Sequence, residues 1–256
     1  MKRSRKARET TKRIYAEMAA DASAARDPAL VERAKALGYS EAELRSVPDG
    51  AAASLGCGNP TAFAELREGE TVLDLGSGGG LDAFLAAQRV GRSGKVIGVD
   101  MTPEMVEKAR ANARKGDFGN VEFRLGEIER LPVEDASVDV IVSNCTMNHC
   151  PDKLAAFREA FRVLRPGGRM LLSDLVTAGA FPEDLRRGLD KAWADWLSVA
   201  APKQEYLKAI TDAGFRDVQV LAEQAFEYPG MHERLSGRVV SIQVKGAKPA
   251  SPLDLR

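Results

Sequence analysis

Two sets of residues in this 256-residue chain have the types and spacing to do chemistry. The first is Asp74-Leu75-Gly76-Ser77-Gly78-Gly79-Gly80. Glycines let a backbone turn sharply and approach a ligand without a Cβ clash. Between a strand and a helix, such a loop holds a nucleotide-type ligand at the carboxyl end of the strand, beside the helix N-terminus. Asp100 comes about twenty residues later, the placement of an acid that grips two ribose hydroxyls. A dinucleotide-binding loop would put its third glycine at position 81, which is Leu81 here; the glycines end instead at Gly80.

The second set is sulfur. The cysteines are Cys57, Cys145 and Cys150. An odd number without paired CxxC spacing argues against both a disulfide framework and a structural zinc site. In a reducing compartment these are thiols. Cys57 lies in the Gly-rich loop Leu55-Gly56-Cys57-Gly58-Asn59-Pro60, and Cys145 in Ser143-Asn144-Cys145-Thr146-Met147-Asn148, just beyond a strand. One cysteine alone reads as a small buried apolar residue. Two in loops near one mouth shift that reading toward a joint role. No Ser/His/Asp set is evident. Of the two histidines, His149 and His232, only His149 falls near the site, and it reads as structural.

The elements that must position these groups are legible in outline. Short apolar runs at Thr71–Leu75, Lys95–Asp100, Val121–Leu125, Val138–Ser143 and Arg169–Ser173 read as strands of a buried parallel sheet. Between them, Leu81–Val90, a segment from Pro103 to about Arg114 capped by Thr102, and Lys153–Leu164 read as helices. The last is stopped by Pro166-Gly167-Gly168. This alternation predicts a doubly wound, mostly parallel, seven-stranded Rossmann-like sheet. Val218–Val220 and Val239–Val244 are late strands adding an antiparallel edge. Helices surround Trp193 and Trp196 and span Glu205–Ala213. The expected division is an N-terminal helical segment and capping loop (1–68), a ligand-binding domain (69–175) and a substrate-side subdomain with a disordered tail after Gly246 (176–256).

Composition excludes some classes. Basic and acidic residues balance at 37 each, so no global field points to nucleic acid or an anionic membrane. The basic opening through Arg13 has no apolar run and reads as a frayed, solvated terminus. No stretch approaches the ~20 apolar residues of a membrane helix, and no signal peptide is evident, so a cytoplasmic protein is expected.

The acid-x-Gly-x-Gly-x-Gly spacing resembles motif I of class I methyltransferases, together with Asp100, Gly126-Glu127-Ile128 and Asn144. From about Tyr39 to Gly214 the chain further resembles the arsenite methyltransferases. The shared segments include Ser46-Val47-Pro48, Leu55 through Pro60, Val72 through Gly78, Gly94 through Thr102, Glu122 through Glu129 and Ser143-Asn144-Cys145. The most specific is Leu-Gly-Cys-Gly-Asn-Pro, which generic methyltransferases lack.

The resemblance implies S-adenosylmethionine as cofactor, held by Asp74, Gly76, Ser77, Gly78, Asp100, Met101, Gly126, Glu127, Ile128 and Asn144. It implies a trivalent arsenical as substrate, bound by Cys57 and Cys145, with Cys150 as a possible third ligand. No metal cofactor is implied. Glutathione or thioredoxin would act as reductant. Trivalent arsenic is soft, so thiolates bind it where oxygen ligands would not compete. Its lone pair carries no proton, so attack on a sulfonium methyl needs no general base, and catalysis rests on positioning. One departure stands out. The family carries a further cysteine in a Trp-Ala-Gly-Cys-like segment, where this chain has Trp193-Ala194-Asp195-Trp196. With two thiolates, methylarsenite is coordinatively complete. Arsenite would want a third thiolate, from Cys150 or a small thiol, and Trp196 would wall the pocket. The alternatives are methylation of an organic small molecule and a non-catalytic thiol-based metalloid binder.

Overall fold

The computed structural model describes residues 2–21, 28–52, 56–179, 181, 189, 191–227, 231 and 233–251. His232, Leu55, the tail beyond Ser251 and the side chain of Trp193 lie outside the described residues.

Near-continuous Val/Ile/Leu runs can be buried only when both faces of a sheet are covered. That is the fate of β1 (Thr71–Leu75), β2 (Lys95–Asp100) and β4 (Val138–Asn144). With β3 (Val121–Leu125), β5 (Leu164–Thr177), β6 (Arg216–Ala225) and β7 (Val239–Ala247) they form one seven-stranded sheet in the order β3-β2-β1-β4-β5-β7-β6. The first five are parallel; β7 runs antiparallel to both β5 and β6. The predicted antiparallel edge is therefore present. The strand order reverses between β1 and β4, so a crevice opens at their carboxyl ends.

Helices cover both faces. One apolar cluster lies beneath α4 (Leu81–Val90) and α5 (Pro103–Lys115), with Phe84, Val106 and Phe123 in it. Another lies beneath α6 (Lys153–Val163) and α8 (Lys203–Asp212), with Phe157, Tyr206, Ile210 and Phe215. A third and smaller cluster joins α7 (Lys191–Leu197) to the thiol loops: Trp196, Leu197, Leu235 and Cys57.

Three expectations are corrected. First, the basic opening is a helix, α1 (Lys2–Ala20), which packs on α5 and α7. Ala7 and Thr10 are buried, and the Thr10 hydroxyl donates to Asp195 at 2.8 Å. Lys108 of α5 donates to the Ala19 carbonyl at 3.0 Å. Small residues let this helix dock closely, so no apolar run was needed. Second, Pro166-Gly167-Gly168 is not what stops the helix: α6 ends at Val163, and the three residues lie inside β5, which begins at Leu164 and not at Arg169. Val138 pairs with Leu164 and Val140 with Arg169, so the extra residues bulge out while β5 continues. Third, the chain is held past Gly246 as far as Lys248. Lys248 exchanges backbone hydrogen bonds with Gly167 and Gly168, and its ammonium donates to Phe161 and Leu164 carbonyls. Among the described residues no helix is long and apolar enough to cross a membrane.

Candidate active site

The crevice at the switch point is a cavity whose walls come from residues between Arg8 and Pro151, so the N-terminal helix and the strand ends both contribute. Its floor is the loop after β1. Gly76 turns with φ +72°, and a Cβ there would overlap Thr146. Gly76 and Ser77 donate to the Val99 carbonyl at 2.7 and 3.1 Å, which ties the loop to β2. Asp74 and Ser77 line the cavity, and both bury a polar oxygen with no partner: Asp74 Oδ2 and Ser77 Oγ. Burial, then the nearby Asp82 and Asp100 charges, push the Asp74 carboxyl well above its ordinary range. An incoming cationic donor group would relieve that cost.

Asp100 stands at the end of β2. Its Oδ2 accepts from the Gly78 amide at 3.0 Å and its Oδ1 from Thr102 at 2.8 Å. Thr102 caps nothing with its own hydroxyl. Met101, Glu127, Ile128 and Asn144 line the cavity. Gly126 does not. It donates to the Asp100 carbonyl at 3.0 Å, and a Cβ there would crowd Pro132, so it serves the turn that delivers Glu127.

Sequence reasoning missed that α1 shares this site. Arg8, Thr11 and Tyr15 line the cavity. Arg8 bridges Glu127 at 2.9 Å and Glu129 at 2.5 Å, and Lys12 reaches Glu127 at 3.4 Å. Arg8 and Lys12 are four apart, on one helix face, which was the available signal. Tyr15 meets His149 edge to face, ring centroids 6.3 Å apart. Burial, and then the Lys153 charge, push His149 down to about 4, so it stays neutral near pH 7.

The thiol side is assembled from residues far apart in sequence. The sulfurs of Cys57 and Cys145 and a carboxylate oxygen of Asp174 all lie within 4.8 Å of one another. Cys145 lines the cavity, while Cys57 is fully buried behind it. Asn144 makes this possible. Its Oδ1 accepts from the Cys57 amide at 2.9 Å, and its Nδ2 donates to Gly58 O at 2.7 Å, Tyr39 OH at 2.9 Å and Asp82 at 3.1 Å. Hence the glycines that flank Cys57: a Cβ on Gly56 would overlap the Asn144 amide, and one on Gly58 would lie 2.7 Å from Ser173 Oγ. Asn59 accepts from Ala62 at 3.1 Å and caps the 3-10 turn Pro60–Phe63. Ser241 of β7 donates to the Cys57 carbonyl at 2.8 Å. Cys145 itself adopts φ +56°, a left-handed conformation rare for a non-glycine residue, and its amide donates to Ser173 O at 2.7 Å.

Burial pushes the Cys57 thiol well up, with the adjacent Cys145 and then the Asp174 charge adding to it. Burial also raises Asp174, to about 6, against the opposing hydrogen bond from Tyr206. Cys150 lines the cavity, yet it is not part of the Cys57–Cys145–Asp174 group. Its sulfur packs in the apolar cluster under α6, 4.0 Å from the Thr146 carbonyl. Asp174, in the third position of that group, was not singled out from the sequence. An acid on a mostly apolar strand was the only hint.

A cavity of this build, on a sheet of this order, defines the Rossmann-like methyltransferases, and residues 66–214 match the methyltransferase-domain family. Within that class the chain belongs to the arsenite methyltransferase family. It is 49% identical over 219 residues to an arsenite methyltransferase of Halobacterium salinarum, covering 84% of this chain and 56% of that one. With the human arsenite methyltransferase it shares 41% identity over 169 residues, 62% of this chain and 44% of that one. The crystal structure of an arsenic(III) S-adenosylmethionine methyltransferase from Chlamydomonas reinhardtii superimposes with a TM-score of 0.66 at 32% identity, covering 87% of this chain and 74% of that one. The chain spans about half the length of the curated relatives it matches.

Proposed function

We propose that the protein methylates trivalent arsenic, as arsenite or methylarsenite, held by Cys57 and Cys145, with S-adenosylmethionine as methyl donor. The observation that carries this reading is the pair of sulfurs within 4.8 Å of each other, Cys145 on the wall of the cavity lined by the Gly76–Gly78 loop and Cys57 buried behind it. When bound, S-adenosylmethionine supplies an electrophilic sulfonium methyl, open to in-line attack by the arsenic lone pair.

The chain's own residues do the rest. Asp74 and Ser77 offer buried acceptors to the donor's amino end, and Asp100 and Glu127 take its ribose and adenine side. Cys57 and Cys145 each replace a hydroxyl on arsenic. Because burial holds the Cys57 thiol protonated, its proton leaves with the departing hydroxide as water, and no separate base is needed. The Asn144 clamp fixes the Cys57 loop, so positioning provides the rate. Trp196, 7% exposed, does not line the cavity, contrary to expectation; it packs in the apolar cluster with Cys57, behind the sulfur pair. Donating its lone pair leaves arsenic pentavalent; two cysteine thiols supply the two electrons that return it to the trivalent state and close as a disulfide, which a small thiol such as glutathione, or thioredoxin, then reduces.

The test is arsenic speciation after incubation with S-adenosylmethionine and arsenite or methylarsenite. Methylated products are expected from the parent protein and not from Cys57→Ser or Cys145→Ser. Unimpaired methylation of an organic acceptor by the double variant, with no arsenical turnover in the parent, would refute the arsenic assignment.

A further inference from the structure

Two thiolates leave one position open on trivalent arsenic, and the structure places a carboxylate beside it. Ligation of arsenite balances as As(OH)3 + 2 Cys–SH → (Cys–S)2As–OH + 2 H2O. The same exchange with methylarsenite gives (Cys–S)2As–CH3 + 2 H2O. The two products differ only in the third substituent: a hydroxyl, which donates a hydrogen bond, or a methyl, which does not. A site that reads this difference must hold a buried acceptor within reach of both sulfurs.

Asp174 is such an acceptor. It is buried, and one of its oxygens lies within 4.8 Å of both the Cys57 and Cys145 sulfurs. A carboxylate has about four lone-pair sites. Three are used among the described residues: Oδ2 accepts from Asn148 N at 2.9 Å and Tyr206 OH at 2.6 Å, and Oδ1 accepts from Leu175 N at 3.0 Å. One acceptor site on Oδ1 is left over. A second group points the same way. Asn148 is fully buried, its Nδ2 lies 3.4 Å from Cys145 Sγ, and its Oδ1 has no partner. Unused buried acceptors are costly unless a ligand completes them.

We propose that Asp174, supported by Asn148, accepts the hydroxyl that remains on dithiolate-bound arsenite, and so sets the choice between arsenite and methylarsenite. This rests on the arsenical reading above. It explains how a chain lacking the family's further cysteine, with Cys150 outside the sulfur group, binds inorganic arsenite without a third thiolate.

Two measurements test it. The first is arsenic X-ray absorption on the parent protein loaded with arsenite, with no added thiol. Two As–S bonds and one As–O bond are expected; three As–S bonds overturn the proposal. The second compares Asp174→Asn with the parent for arsenite and methylarsenite in separate assays. Arsenite kcat/KM is expected to fall roughly tenfold, the loss of one charge-assisted hydrogen bond, while methylarsenite stays within about twofold. An equal fall for both, or no fall for either, overturns the assignment. Tyr206→Phe, which removes one donor to Asp174 without facing arsenic, should move the two substrates in the same direction as each other. If the parent retains neither arsenical after desalting, the arsenical reading itself fails. If it retains both with an unchanged ratio in Asp174→Asn, only the role of Asp174 fails.

Discussion

The two halves of the site are built on opposite plans. The donor half is local: a strand, a Gly-rich loop and a helix follow one another from Thr71 to Val90, and Asp100 closes the next strand. The sulfur half is dispersed. Cys57, the adjacent Asn144 and Cys145, Asp174 and Ser241 come from four places in the chain, and meet through hydrogen bonds and close packing. The difference teaches where tolerance lies. A local loop carries its own conformation, whereas a dispersed cluster depends on every approach distance at once.

The sharpest way to break this comparison is Gly56→Ala. The new Cβ would collide with the Asn144 amide that fixes Cys57. Arsenical turnover should fall by roughly a hundredfold, the cost of misplacing a reacting group by about 1 Å. Affinity for S-adenosylmethionine, measured by calorimetry, should stay near that of the parent. Equal loss of both would show that the halves are one unit. Asp100→Ala is the mirror case. It removes a carboxylate from the donor half, so S-adenosylmethionine affinity should drop roughly tenfold to a hundredfold. Arsenical binding without the donor should be retained; its loss would sink the separation from the other side.

The seam between the halves has a titrating group. His149 is held near 4 in the folded protein against an ordinary 6.5. Between those values the unfolded chain binds the extra proton. Its contribution is therefore full above pH 6.5 and is lost as pH falls toward 4, by about 1.4 kcal/mol per pH unit. Asp82 and Asp174, both raised to about 6, work in the opposite sense below pH 6. Thermal melts of His149→Gln and the parent isolate the histidine. The variant should gain on the parent as pH drops from 7 to 5, and a constant difference would remove His149 from the account. The smallest effect belongs to Cys150→Ser. With its sulfur packed away from the ligand group, turnover should change by less than about twofold, within the range of a small apolar-to-polar change at the wall. A tenfold loss would return Cys150 to the sulfur half.

Legibility in the sequence followed the same divide. Strands β1, β2 and β4, the Asp74–Gly80 loop and Asp100 could be read directly, because each is a contiguous pattern whose chemistry is set by its neighbours. Cys57 and Cys145 could be nominated because sulfur is rare and both flank turn signals. What escaped was long-range. The docking of α1 depends on small residues at Ala7 and Thr10 and on Arg8 finding Glu127 and Glu129, none of which leaves an amphipathic stripe. Asn144 reads as a strand-end residue near the donor, yet its hydrogen bonds go to the Cys57 loop, Tyr39 and Asp82. Asp174 gained meaning only when β5 was laid beside β4.

The placement of β7 has a consequence for how the molecule comes into being. This late strand sits inside the sheet, between β5 and β6, and its Ser241 holds the Cys57 carbonyl. While the chain is still leaving the ribosome, the nucleotide-side fold can form before residues 239–247 have been made. Until then the Cys57 carbonyl lacks its Ser241 donor, so this tie on the thiol loop is among the last contacts of the site to become possible during synthesis.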